Sequence, residues 1–219
     1  TAMKLGVLFS GGKDSYLAMH IASETHELSC LLTINSSNPN SWMFHTPAIE
    51  WTKLQSQSLK IPQIIQNTKG VQDKELDDLF ELIDKGKNQF SIEGVVTGAL
   101  ASTYQSTRIQ KICNDLNLWC FNPLWQMSQK ILLEELLENN IESIITGVAA
   151  EPFDDEWLGR EIDLECINDL IKLKESHRIN PAGEGGEIES FVVNAPLFNS
   201  RLEIIQSKIH YSNYSGRLE

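Results

Sequence analysis

The residues Ser10-Gly11-Gly12-Lys13-Asp14-Ser15 place two glycines, two hydroxyls, one ammonium and one carboxylate in six consecutive positions. Such a set suits an anion made of several oxygens. Without Cβ atoms at Gly11 and Gly12, the backbone N–H groups can close on that anion. Leu17, Ala18, Ile21 and Ala22 follow at helical spacing and predict a helix starting near Lys13. Its unpaired N–H groups and positive dipole end would aim at the same point. Ser10 and Ser15 add hydroxyl donors, and Lys13 adds a full charge. The run Lys4 to Phe9 ahead of the turn is short, apolar and β-prone, a strand that delivers the chain to it. Strand, glycine turn and helix together predict a phosphate cradle.

The spacing decides which kind. A Walker loop has four residues between its first glycine and the Gly-Lys pair, and a dinucleotide fingerprint reads G-x-G-x-x-G; this segment fits neither. Ser-Gly-Gly-x-Asp-Ser after a first strand resembles the loop of the N-type ATP pyrophosphatases, which cleave ATP between the α and β phosphates and adenylate a substrate. The resemblance implies ATP and Mg²⁺ as cofactors, with Ser10, Gly11, Gly12, Lys13, Asp14 and Ser15 on the nucleotide. Lys13, Ser10 and Asp14 are then the catalytic candidates, and Asp14 the metal candidate. Lys13 and Ser10 are expected on an exposed turn.

A chain of 219 residues holds one large or two small domains with ample core. The formal net charge of -12 argues against a sequence-independent grip on nucleic acid, because no basic run offsets the repulsion, and no DNA partner is expected. No long apolar span or charged leader is visible, so no membrane partner is expected and a cytoplasmic location is predicted. Homo-oligomerisation is compatible with the sequence. Cys30, Cys113, Cys120 and Cys166 form no Cys-x-x-Cys pair and the five histidines are scattered, so no closed zinc or iron–sulfur site is encoded. The cysteines read as buried thiols.

The elements that must position the loop alternate along the chain. Strands are expected at Leu28–Ile34, Gln63–Gln66, Gly94–Gly98 and Leu118–Phe121, and helices at Pro47–Leu59, Asp73–Lys85 and Thr107–Leu116. Such alternation calls for α/β architecture, a Rossmann-like doubly wound parallel sheet with helices on both faces. Its ligand would lie beyond the carboxyl ends of the strands, so Phe9-Ser10, Thr33-Ile34 and Thr97-Gly98 should face one crevice. After Pro123 the pattern changes. Helices at Lys130–Leu137 and Leu164–Lys174, a strand at Ser143–Gly147, and two-faced strands at Ile188–Val193 and Leu202–His210 predict a smaller mixed α+β domain. The division expected is 1–122 for nucleotide and 123–219 for substrate, with a cleft between.

Further blocks run in order along both halves: Met43-Phe44-His45-Thr46-Pro47, Gly98-Ala99-Leu100-Ala101-Ser102-Thr103-Tyr104-Gln105 with Arg108, Pro123-Leu124-Trp125, Trp157-Leu158-Gly159-Arg160, Ala182-Gly183-Glu184-Gly185-Gly186-Glu187, and Ala195-Pro196-Leu197-Phe198. Together with the loop they resemble the diphthine-ammonia ligase family, a branch of the N-type ATP pyrophosphatases with a sheet of the HUP, or adenine nucleotide alpha hydrolase-like, kind. One departure stands out: relatives often carry glycine where this chain has Gln126.

The resemblance implies an acid–ammonia ligase. Its substrates would be ATP, ammonia and elongation factor 2 bearing diphthine, and its products diphthamide, AMP and pyrophosphate, through an acyl-adenylate. Gly98, Ala99 and Ser102 join the loop as nucleotide-binding candidates. Tyr104, Gln105, Arg108, Arg160, Glu184 and Glu187 are the substrate candidates. Glu184 and Glu187 offer carboxylates, and Tyr104, Trp125 and Trp157 offer π faces, the groups that receive a quaternary ammonium. The plain alternatives are a solvated acidic turn and an aromatic core. Arg108 and Arg160 read equally as nucleotide clamps or structural partners. His45 reads as a loop histidine or a pocket residue, and Asp154, Asp155 and Glu156 as a solvated face or as groups for magnesium or ammonium. No nucleophile elbow of a glutaminase is present, so the nitrogen source is expected to be free ammonia. Two other readings stand beside this one, a transfer-RNA-modifying adenylating enzyme and a non-catalytic nucleotide sensor.

Overall fold

A computed structural model describes residues 1–37, 49–98, 103–177 and 188–219. The chain divides into two compact units, Thr1–Trp125 and Gln126–Glu219. In the first, strands β1 (Lys4–Leu8), β2 (Glu27–Ser36), β3 (Gln63–Thr68), β4 (Gly94–Val96) and β5 (Trp119–Phe121) alternate with helices α1 (Lys13–Ser23), α2 (Ile49–Leu59), α3 (Gln72–Phe90) and α4 (Thr103–Asp115). All four strand pairings are parallel and the order is β3-β2-β1-β4-β5. The chain winds outward from β1 to β3, then returns to the other side of β1 for β4. Strand order therefore reverses at the β1/β4 boundary, where loops diverge and leave room for a ligand.

The pleat explains both faces. Leu8, Cys30, Leu32, Val95 and the half-buried Ile64 and Cys120 share a core with Leu79, Leu82 and Ile83 of α3 and Ile109, Ile112 and Cys113 of α4. Residues alternating with these, Leu5, Val7 and Leu31, are fully buried on the opposite face. Expected elements are present with shifted ends. Helix α3 runs five residues beyond Lys85 and stops at Ser91, which caps it in the left-handed region with its N–H on the Lys87 carbonyl. Helix α4 begins at Thr103, four residues earlier than periodicity indicated.

The second unit contains α5 (Gln129–Glu138), β6 (Glu142–Ala149), a 3-10 turn (Asp155–Trp157), α6 (Leu164–His177), β7 (Ile188–Asn194), β8 (Ile209–Ser212) and β9 (Ser215–Leu218). Its sheet is antiparallel in the order β7-β6-β9-β8. The single strand expected over Leu202–His210 is not formed. A two-residue turn at Asn213 and Tyr214, both at positive φ, pins the β8–β9 register so that Ile209 faces Leu218. Residues 203–207 thus lie outside the hairpin ladder, and Ile205 is exposed despite its β-prone sequence.

Gln126 has φ +59, in the left-handed region that favours glycine. The departure from the family pattern is thus a strained residue in a turn that glycine would fit. Gln126→Gly is expected to be neutral to stabilising by about 1 kcal/mol, since relief of left-handed strain outweighs the chain entropy glycine adds. A urea midpoint lower than wild type would refute this.

Candidate active site

The turn between β1 and α1 is built from the inside. Phe9 continues the parallel ladder, its N–H donating to the Leu32 carbonyl at 2.9 Å. Its own carbonyl points into the unit and accepts from Thr33 Oγ1 at 2.8 Å. Gly11 follows at φ +84 and its carbonyl accepts from Gln55 Nε2 at 3.0 Å. A Cβ at Gly11 would stand 2.6 Å from Gln55 Oε1, so both the left-handed φ and the close approach of α2 require glycine here. The Gly12 carbonyl starts the helix, accepting from Tyr16 N–H at 3.2 Å and from Ser15 Oγ at 3.3 Å.

Two side chains behind the turn are themselves held. Gln63 Nε2 donates to Thr33 Oγ1 at 2.9 Å and to Thr52 Oγ1 at 3.1 Å, and Thr52 donates to the Ile49 carbonyl at 2.7 Å. Thr33, Thr52 and Gln55 are all fully buried. A polar network thus joins β2, β3 and α2 to the turn. Sequence reasoning missed Thr52, Gln55 and Gln63, and expected Thr33 to line a crevice, whereas its hydroxyl is spent inside the network. The signal available was the spacing of Thr52, Gln55 and Leu59, which puts two polar residues and a leucine on one helical face, all three buried.

Inside the turn the hydroxyls hold the backbone loosely. Ser10 N–H donates to Ser15 Oγ at 3.3 Å, Gly12 N–H donates to Ser10 Oγ at 3.4 Å, and the two hydroxyls lie 3.3 Å apart. No side chain caps α1, whose N-cap is Gly12. Lys13 corrects an expectation: it is 3 % exposed, not on an exposed turn, because its stem packs into the unit. Its Nζ lies 3.2 Å from Asp14 Oδ1. That carboxylate oxygen is buried and has no hydrogen-bond partner among the described residues. Ser10 is half-buried.

Gly98, beyond the end of β4, meets the same turn. A Cβ there would come within 2.9 Å of the backbone at Asp14 and Ser15, so glycine is what lets β4 approach the first turn of α1. Ser10 through Ser15 and Gly98 are therefore brought together. Ala99, Ser102, Glu184, Glu187, Met43 and His45 lie outside the described residues.

The remaining candidates have partners of their own. Tyr104, Gln105 and Arg108 occupy the first turns of α4, where the Arg108 guanidinium lies 3.2 Å from the Tyr104 ring centroid and donates to the Tyr104 carbonyl at 3.4 Å. In the second unit, Arg160 pairs with Asp169 at 2.5 Å and lies 4.5 Å from the Trp157 ring centroid. Trp157 meets Phe153 edge-on at 5.1 Å. Asp154 accepts from the Glu156 N–H at 3.0 Å and so caps the 3-10 turn. Trp125 is 37 % exposed.

Residues 3–119 match the family pattern described as Diphthamide synthase N-terminal domain, and residues 128–219 match Diphthamide synthase C-terminal domain. The diphthine–ammonia ligase of Rattus norvegicus is 32% identical over 226 residues, covering 94% of this chain and 84% of its own length. That of Bos taurus is 30% identical over 227 residues, covering 94% and 85%. The Saccharomyces cerevisiae protein of the same name is 32% identical, and the match covers 93% of this chain and 35% of that longer protein. Among solved structures, one titled a predicted subunit of tRNA methyltransferase from Methanocaldococcus jannaschii aligns over 89% of this chain at 18% identity and a TM-score of 0.46, too shallow a likeness to bear on function.

Replacing Gln55 by leucine leaves the inward Gly11 carbonyl without its donor, a loss of about 1–3 kcal/mol for a buried acceptor. The exposed Gln57→Leu on the same helix is expected to change stability by less than about 0.5 kcal/mol. Equal urea midpoints for the two variants would show that the network does not hold the turn.

Proposed function

The chain belongs to the diphthamide synthase family, and we propose that it uses ATP to amidate the diphthine residue of elongation factor 2 with ammonia, releasing AMP and pyrophosphate. The observation that carries this reading is the β1–α1 turn: inward carbonyls tied to Thr33 and Gln55, an uncapped helix start, and the buried Lys13 ammonium beside it. A carboxylate is a poor electrophile. In the proposed first step a diphthine carboxylate oxygen attacks the α phosphorus of ATP, the α–β bridge breaks and pyrophosphate leaves. Ammonia then attacks the acyl carbon, loses a proton and displaces AMP.

The chain's contribution is to stabilise charge and fix position. The N–H groups of the turn and of the first turn of α1, with the Lys13 ammonium, would take the negative charge that builds on the leaving pyrophosphate. Ser10 and Ser15 already touch N–H groups through long hydrogen bonds. Phosphate oxygens can replace those acceptors without refolding the turn. Asp14 fits a magnesium ligand, because its buried Oδ1 has the Lys13 ammonium beside it but no hydrogen bond among the described residues. A single carboxylate plus substrate phosphates is an ordinary environment for that ion. When bound, Mg²⁺ would neutralise charge on the β and γ phosphates. Gly98 serves the site by its size, and Glu184 and Glu187 are proposed to face the trimethylammonium of diphthine.

Lys13→Gln is expected to lower pyrophosphate release by about 10²–10³-fold at saturating ATP, the usual cost of one lost preorganised donor. Because Lys13 is buried beside Asp14, its melting temperature is expected to fall as well, whereas Ser10→Ala, at a half-buried position, is expected to lose pyrophosphate release while keeping its fold. The assay follows pyrophosphate with factor bearing diphthine. A Lys13→Gln protein that stays folded and releases pyrophosphate at the wild-type rate would exclude the turn as the catalytic cradle.

For specificity, Glu184→Gln combined with Glu187→Gln keeps shape and removes charge. ATP affinity should stay within about twofold while diphthamide formation falls at least tenfold, as about 1.4 kcal/mol of lost cation recognition implies. ATP binding by calorimetry and amidation by mass spectrometry are measured side by side. Equal loss of both would move these glutamates to the nucleotide, and loss of neither would return them to a solvated turn.

A further inference from the structure

The proposed reaction uses none of the four cysteines. Cys30 and Cys166 are fully buried, and burial pushes each thiol up to about 12, which keeps them inert. Cys113 and Cys120 are placed differently. Cys113 is fully buried in the last turn of α4, and Cys120 is the half-buried central residue of β5.

The link between them is short. The N–H groups of Leu116 and Leu118 both donate to the Cys113 carbonyl, at 3.2 and 2.8 Å, and Asn117 between them takes φ +57. This reversal lays β5 back under the end of α4. Register then selects the face. Cys120 lies opposite Val95, a member of the core beneath α3 and α4. Its neighbours point the other way: Trp119 is 65% exposed, and Phe121 stacks on His26 at 5.1 Å. The pleat therefore turns Cys120 toward the helix that carries Cys113, and both side chains pack in the core beneath α3 and α4.

We propose that Cys113 and Cys120 form a peroxide-reactive dithiol that closes into an intramolecular disulfide. Cys120 is the attacking group because it is the more accessible. The neighbouring Cys113 thiol draws Cys120 below its ordinary range, while the same neighbour pair, with burial, pushes Cys113 up and keeps it protonated. In the first step the Cys120 thiolate attacks one oxygen of hydrogen peroxide and the O–O bond breaks. The departing hydroxide takes the proton given up by Cys120 and leaves as water, and Cys120 becomes a sulfenic acid. Cys113 sulfur then attacks the Cys120 sulfur, the S–O bond breaks, and hydroxide leaves with the Cys113 proton as a second water. Two thiols lose two electrons and one peroxide gains them.

The test uses the full chain, reduced and then titrated with hydrogen peroxide. Thiols are counted under denaturing conditions, and tryptic peptides are weighed. The expected result is a fall from four free thiols to two, with the loss of two hydrogens confined to the peptide Ile112–Lys130, which contains both cysteines. Dithiothreitol should restore it. In Cys113→Ser the sulfenic acid at Cys120 has no resolving thiol and should be trapped by dimedone; in Cys120→Ser the early oxidation should vanish. Even loss across all four cysteines, oxygen added at Cys120 without loss of two hydrogens, or disulfide-linked dimers would each overturn the proposal. The wild-type peptide map decides alone should either variant fail to fold.

Discussion

A peptide unit points its carbonyl and the next N–H in opposite directions, so a turn that offers N–H groups outward must send carbonyls inward and supply each with a donor. That constraint organises the first unit. The Phe9 carbonyl goes to Thr33, the Gly11 carbonyl to Gln55, and the Gly12 carbonyl to Ser15 and the helix. Each bond fixes the direction of the N–H that follows, at Ser10, Gly12 and Lys13. The donors come from β2, α2 and α1, and Gln63 of β3 holds Thr33 and Thr52 behind them, so the turn is formed only when β2, β3 and α2 are in place. Gly98 adds a fourth restraint, because only a residue without Cβ lets the end of β4 reach Asp14 and Ser15. The anion site proposed for this chain is a consequence of burying carbonyls correctly.

The same logic reconciles an acidic chain with a polyanionic ligand. A formal net charge of -12 repels phosphate at long range. At the short range of the proposed site, oriented N–H dipoles and the buried Lys13 would outweigh that repulsion, because interactions of buried groups are less screened. Burying Lys13 costs solvation, and Asp14 at 3.2 Å offsets part of that cost. Apart from this ion pair, Asp14 Oδ1 is buried without a hydrogen bond among the described residues. The expectation that put Lys13 on an exposed turn is overturned by the close packing around the turn, which Gly11 makes possible.

The architecture was legible because it is periodic. Apolar strands and amphipathic helices alternate through Phe121, and the parallel sheet follows from that pattern together with the handedness and length of the crossovers. The loop was legible because six adjacent residues carry it. The network behind it was not, since Thr33, Thr52, Gln55 and Gln63 are far apart in sequence and each is a common surface type. Only register and packing reveal that their hydroxyl and amide groups converge. Leu202–His210 failed for a related reason: its β-propensity is real, but pairing is decided by the Asn213–Tyr214 turn, which sets the hairpin register without reference to the segment before it. Cys113 and Cys120 likewise look unrelated at a separation of seven, and a three-residue reversal joins them.

The proposed recognition of a quaternary ammonium is limited by the partners its candidate groups already have. Two of the aromatic faces suited to a quaternary ammonium already carry guanidinium groups of the protein: Arg108 on Tyr104 and Arg160 on Trp157. Displacing Arg160 would also break its 2.5 Å pair with Asp169, leaving a carboxylate uncompensated. Such stacks fix the aromatic rings and make them poor receptors for a second cation, because like charges would then share one π face. A carboxylate attracts an ammonium group directly, without a π face to share. On this argument the proposed selectivity for diphthine belongs to Glu184 and Glu187, and the Tyr104 and Trp157 stacks serve to hold their own units together.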